Sequence, residues 1–123
     1  MNTTHPLKVL LAIATLMLSH HAISQDLNQV ELNHAESIHL EGSEFMLRKA
    51  YEQLLSALSE ERARLLKISQ SKWLEYRDAN LEVVYSGYAG GTIAPLIYAK
   101  RAIEMNENRT AELATMYLHE VTP

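Results

Sequence analysis

An all-α fold, a small bundle of three to four helices with one Gly-rich loop between the last two long helices, is what this sequence predicts. Three observations predict it. Apolar residues recur at helical spacing over long stretches rather than alternating. Four glycines and three prolines in 123 residues leave few turns, which argues against a sheet with many hairpins. Three of the four glycines fall in one short segment, Tyr85 to Gly91 (YSGYAGG), so little interrupts the stretches on either side. With 47% hydrophobic and 21% charged residues the chain has the composition of one globular domain, and its apolar share is too high for disorder.

The N-terminal segment reads as an address. Met1 to Lys8 is short and polar, with one positive charge. Val9 to Ser19 (VLLAIATLMLS) is an unbroken apolar or small run, about half of the roughly 20 residues a spanning helix needs. Ala22-Ile23-Ser24 fits the small-x-small rule before a cleavage point. The expectation is a secretory signal peptide over residues 1–24, cut between Ser24 and Gln25, followed by a single domain over 25–123. No cysteine follows the apolar run, so no lipid anchor is expected. The mature protein is expected to be periplasmic or secreted, without a membrane anchor. Cleavage removes Lys8, the only charged residue of the segment, and takes the formal net charge from −4 to −5.

Asp26 to Leu40 begins polar, with Leu27, Val30 and Leu32 as apolar anchors, and reads as a weakly amphipathic helix stopped or kinked near Gly42-Ser43. Ser43 is the expected cap of the next helix, with Glu44 in its first turn. Leu47, Tyr51, Leu54, Leu55 and Leu58 then recur at spacings of 4, 3, 1 and 3, one buried stripe. Ser59 is the next expected cap, with Glu60 and Glu61 opposing the helix dipole. Leu65, Leu66, Ile68, Trp73, Tyr76, Val83 and Val84 carry the apolar face to about Tyr85. The glycine segment is the principal loop. Thr92 is the expected cap of the last helix, and Pro95 falls in its first turn, where a missing N–H does no harm. Ile93, Leu96, Ile97, Ile103, Leu113, Met116 and Tyr117 give that helix its core side, to about Leu118.

Several chemistries find no support. An acidic balance argues against a nucleic-acid binder that works by neutralising phosphate. Zero cysteines removes disulfides, thiolate metal sites and Cys nucleophiles. His34 and His39 are five apart, which is not the spacing that puts two imidazoles on one helical face, and Glu31 with His34 makes only two ligands, so no metal and no cofactor is expected. Ser86 lacks a nucleophile elbow, and Gly87, Gly90 and Gly91 make no phosphate fingerprint. Glu60-Glu61 and Glu104 with Glu107 read as helix-start and solvent-facing charges rather than catalytic pairs. Asn108-Arg109-Thr110 fits a glycosylation pattern but lies within an expected helix. No catalytic residues are assigned, and the chain is not expected to be an enzyme. In Trp73-Leu74-Glu75-Tyr76-Arg77-Asp78, Trp73 and Tyr76 share a face. A core Trp with an Arg77–Asp78 pair tying helices together, Asp78 being met by Arg109 or Arg101, is weighed against a binding patch.

The order of these motifs resembles a known family. Leu47-x-x-x-Tyr51-x-x-Leu54-Leu55, then Leu58-Ser59-x-Glu61, then Gln70-x-x-Trp73-x-x-Tyr76-Arg77-Asp78-Ala79 is similar to the LprI-type lysozyme-inhibitor domain. The pattern continues with Gly90-Gly91-Thr92-Ile93-Ala94-Pro95 and closes with Arg109-Thr110-Ala111-Glu112-Leu113; with an upstream Leu32-Asn33 at the right distance before Tyr51, the resemblance spans residues 32–113. It departs where members usually carry cysteines, here Ala35, Leu81 and Arg101, and in Asn106 where a Thr is usual. Leu81 suggests replacement of a disulfide by apolar packing, and Arg101 a surface-leaning position.

The resemblance implies an exported, mostly helical protein whose partner is another protein, a basic lysozyme with an acidic cleft. An acidic inhibitor would be steered toward such a target. The loop Tyr85, Ser86, Gly87, Tyr88, Gly90, Gly91 and Thr92 is then the candidate cleft-inserting element: tyrosines supply contact area, and glycines permit close backbone approach. The plain alternative is that the glycines only turn the chain. A competing function is an envelope interaction module, immunity-like or an assembly partner, marked by an exposed apolar stripe and self-association. A small hydrolase would require clustered titratable groups in a pocket.

Overall fold

The computed structural model describes residues 6–122, with side chains from Asn28 onward. It contains α1 (Pro6–Ala57), α2 (Glu60–Ser86) and α3 (Ala94–Val121), and no strand among the described residues. The expected signal segment and its cleavage point, Ser24–Gln25, lie outside the residues whose side chains are described. The chain divides into two compact units, residues 1–32 and 33–123. The first is helical from Pro6. Val30 and Leu32, expected as anchors there, are exposed. The second holds the rest of α1 with α2 and α3, and all packing below belongs to it. Among the described residues no helix is long and apolar enough to cross a membrane.

Two helices expected before Ser59 are one. α1 runs through Gly42-Ser43 without a stop, so the helices number three. A glycine in a helix interior costs only about 1 kcal/mol, and burial on both sides outweighs it. Leu40 packs on Leu81, Ala102 and Met105, while Leu47, Ala50 and Leu54 pack on Leu66 and Leu113. Ser43 is therefore a mid-helix residue rather than a cap. Its side chain is buried, and its Oγ–H donates back to the Leu40 carbonyl at 2.8 Å.

α2 starts where expected. Ser59 occupies the cap position in an extended conformation, and its carbonyl accepts the Ala63 N–H at 2.8 Å. Its hydroxyl makes no cap bond. Glu60 and Glu61 occupy the first turn, and Arg64 holds the Glu61 carboxyl below its ordinary range through paired hydrogen bonds at 2.7 and 3.1 Å. The helix continues through Tyr85 and Ser86, so both are last-turn residues rather than loop residues. Thr92 likewise is not the cap of α3. Ile93 holds that place, because the Gly91 carbonyl already takes the Ala94 N–H at 3.2 Å and Pro95 has no N–H to satisfy. The Thr92 carbonyl accepts instead from Asn33 Nδ2 at 3.3 Å.

The core forms two clusters along the bundle. One joins Leu47, Ala50 and Leu54 of α1 to Leu66 and Leu113, with Tyr51, Leu55, Leu58 and Tyr117 around it. The other joins Leu81, Ala102 and Met105, with Leu40 and Tyr98 against it. Trp73 packs on both and links them. Leu65, Ile68, Tyr76 and Val83, expected inside, are exposed, as are Ile93 and Met116. The inward stripe of α2 is Leu66, Gln70, Trp73, Arg77 and Leu81, which includes two polar residues. α3 turns inward small residues, Ala99 and Ala102, that let the helices approach closely.

One surface pair ties the far ends of α2 and α3. Arg62 meets Glu120 at 2.5 and 2.6 Å, and these hydrogen bonds hold the Glu120 carboxyl below its usual 4.5. The folded state thus takes up this proton less readily than the unfolded chain. The pair's contribution is complete above the usual carboxylate pKa and fades as pH falls through the lowered one. Glu120→Gln is expected to shrink the drop in Tm between about pH 6 and about pH 3, by a small amount because both groups face solvent. An unchanged drop would show that the pair contributes nothing.

Candidate functional site

The loop between α2 and α3 is built from turns. Tyr88 N–H donates to the Tyr85 carbonyl at 2.9 Å, and Gly91 N–H donates to the Tyr88 carbonyl at 3.1 Å. Gly90, third in that second turn, has φ +84°, which a residue with a Cβ adopts only at a cost. The turn therefore needs glycine there whatever the loop's role. Tyr88 is the first residue of that turn and is 47% exposed. Tyr85 is 40% exposed, and its ring stands edge-on to Tyr98 of α3, centroids 6.2 Å apart. A cleft of about 400 Å³ opens beside them, lined by Tyr85, Tyr98, Pro95, Leu40 and Glu82. The structure thus brings Tyr85, Tyr88 and the glycines to one end of the bundle, with Ile93 exposed next to them.

The Trp73 cluster is arranged differently from the expectation. Arg77 does pair with Asp78, at 2.9 Å, but the two are neighbours on α2 and the pair joins no helices. Neither Arg101 nor Arg109 meets Asp78: Arg101 is held by Asn80 and Glu104, and Arg109 by Gln70, Ser69 and Glu112. Around Trp73 the ties between helices run from arginines to amides and hydroxyls. Arg77 Nη1 donates to Asn106 Oδ1 at 3.2 Å, and Asn106 Nδ2 donates to Ser43 Oγ at 3.0 Å. One chain of hydrogen bonds thus links α2, α3 and α1. Arg109 Nε donates to Gln70 Oε1 and its Nη2 to Ser69 Oγ, both at 3.1 Å. Arg101 Nε donates to Asn80 Oδ1 at 3.1 Å. Trp73 lies between the cations, with Arg77 at 5.6 Å and Arg109 at 5.9 Å from its ring. Tyr76 faces solvent. The motif Tyr51, Trp73, Arg77 and Arg109 therefore belongs to the packing of the bundle, and Pro95 to the start of α3.

Two wider grooves flank the bundle. The α1–α3 groove, about 830 Å³, is floored by Gly42, Ala111 and Ala114 and walled by Ile38, Met46 and Ile103. The α1–α2 cleft, about 510 Å³, is floored by Leu47, Gln70 and Leu74 and edged by Arg48, Lys67 and Arg77. Sequence reasoning missed both grooves, and it named Ser43, Gln70 and Asn106 without placing them in the interior, where the structure buries them. The available signal was polar residues recurring on the inward stripe of an otherwise apolar helix face. Among the described residues no group of three or more His, Asp or Glu is gathered to hold a metal ion.

Three helices with an aromatic turn at one end and open grooves along their sides make a small all-α domain. Residues 21–113 match the family described as lysozyme inhibitor LprI, and the chain belongs to that family. No curated protein and no solved structure matches it. At the positions where the motif resemblance led to cysteine, Leu81 is buried among Ala102 and Met105, Arg101 is half-exposed and bonded to Asn80, and Ala35 is exposed. Apolar packing at Leu81 thus contributes cohesion at one of these places.

Proposed function

We propose that the protein is exported, loses residues 1–24, and inhibits a lysozyme by placing the turn around Tyr88 in the enzyme's cleft. Family membership supports the target class, and the exposure of Tyr88 on a turn held by Gly90 is the observation that carries the site. A turn already closed by backbone hydrogen bonds loses little entropy on binding, so its aromatic contact area counts toward affinity. The net charge of −4, −5 after cleavage, would speed encounter with a basic enzyme, and salt would slow it. Tyr85 supports the turn from the end of α2 through its contact with Tyr98.

The test is titration of the exported protein against a panel of lysozymes, following binding and muramidase activity together. Tyr88→Ala is expected to weaken binding by about 30-fold or more, the loss typical of a central interface aromatic, with Tm unchanged. Binding and inhibition by the variant equal to the parent's would remove the turn from the site. Absence of binding by the parent across the panel would leave the family relation as one of fold.

A second reading, an envelope interaction module, is favoured by the α1–α3 groove and the exposed Ile38, Phe45 and Met46 on α1. It predicts self-association, read as a mass that rises with concentration, and no lysozyme inhibition.

A further inference from the structure

We propose that the cleft between α1 and α2 is a binding site for a small anionic amphiphile, a molecule with one phosphate or carboxylate head and a short apolar body. In a chain of net charge −4, this cleft carries the opposite sign: Arg48, Lys67 and Arg77 edge it, with Glu44 the one acidic residue of its lining. Asp78 accounts for Arg77. Arg48 stacks on the Phe45 ring at 5.8 Å, and among the described residues no carboxylate pairs with either Arg48 or Lys67. Of the other cations on the three helices, Arg62 pairs with Glu120, Arg64 with Glu61, Lys72 with Glu75, Arg101 with Glu104 and Arg109 with Glu112, while Lys49 and Lys100 lie away from this cleft and are without an ion pair among the described residues. Two unmatched cations at the mouth of one concavity are where an anionic head would find charge-assisted hydrogen bonds.

The floor supplies the other half of the ligand's chemistry. Leu47 is buried, Leu74 is partly exposed, and both line the cleft beside the half-buried Tyr51. About 510 Å³ lies within the range of small-molecule sites, which join an apolar lining to a few placed polar groups. The cleft also has its own reporter. Arg77 lines it and sits over the ring of Trp73, the chain's one tryptophan. A head group that draws Arg77 toward the mouth alters the field on that ring.

Octyl phosphate, below its micelle-forming range, is titrated into the full-chain protein while Trp73 fluorescence and calorimetric heat are followed. Saturable binding is expected. Lys67→Glu and Arg48→Ala, both on exposed side chains, should each weaken it about tenfold, the size of one lost charge-assisted hydrogen bond. Inorganic phosphate, lacking the apolar body, should bind at least about tenfold more weakly. Phosphatidylglycerol vesicles distinguish the source: co-sedimentation lost in Lys67→Glu identifies a lipid headgroup as the ligand, and its absence alongside octyl phosphate binding identifies a free amphiphile. No saturable signal with octyl phosphate overturns the proposal. So does binding that neither substitution changes, or that inorganic phosphate reproduces.

Discussion

Leu113→Ala is expected to lower stability by about 3–4 kcal/mol and Tm by about 15 °C or more. Leu113 is fully buried, and its side chain enters the cluster formed by Leu47, Ala50 and Leu54 of α1 and Leu66 of α2. One leucine from α3 thus touches both other helices. Its truncation removes transfer free energy and leaves a cavity that three packed helices cannot collapse to fill. Thermal and urea unfolding followed by circular dichroism would measure it, with Leu65→Ala as control. Leu65 lies next to Leu66 but is 51% exposed, so its truncation should fall within about 0.5 kcal/mol. Equal losses at the two positions would mean that the inward face of the bundle is misassigned.

Asn106→Leu is expected to cost about 2–4 kcal/mol although it adds apolar volume to a core. Asn106 is fully buried and is the middle member of the hydrogen-bond chain from Arg77 to Ser43. Leucine has nearly the same length but leaves Nη1 of the Arg77 guanidinium, a side chain only 16% exposed, without its acceptor, while Nε and Nη2 keep Asp78, and leaves the Ser43 oxygen without its donor. Each orphaned group loses the water it had in the unfolded chain and gains nothing in return. Asn106→Asp should cost less, because a carboxylate still accepts from Arg77. Leucine proving neutral, or better than aspartate, would show that the polar chain does not hold the helices.

Much of the fold could be read from local pattern. The start of α2 at Ser59-Glu60-Glu61, the position of Pro95 and the stripe Leu47, Tyr51, Leu54, Leu55 and Leu58 depend on residues three or four apart, and spacing of that kind is visible in a string. The failures share one cause. Gly42-Ser43 looks like a break and Thr92 like a cap because local preferences of about 1 kcal/mol favour those readings. Packing on Leu81, Ala102 and Met105 exceeds the first, and the Gly91–Ala94 bond pre-empts the second. Val83 and Ile68 looked buried because they are apolar, whereas Gln70 and Asn106, being amides, were not expected inside.

For the candidate site the division is similar. The loop was legible because glycine density is a local property, and Gly90's positive φ accounts for one of those glycines. Composition and spacing by themselves determined an all-α chain with an aromatic turn before its last helix, and the motifs pointed to its family. Tertiary structure alone decided which side of each helix faces inward, that Arg77 reaches Asn106, and through it Ser43, rather than carrying Asp78 to another helix, and that Arg48, Lys67 and Arg77 meet at one cleft. Those are meetings between residues far apart in the chain, and their register is set by how three helices share one core.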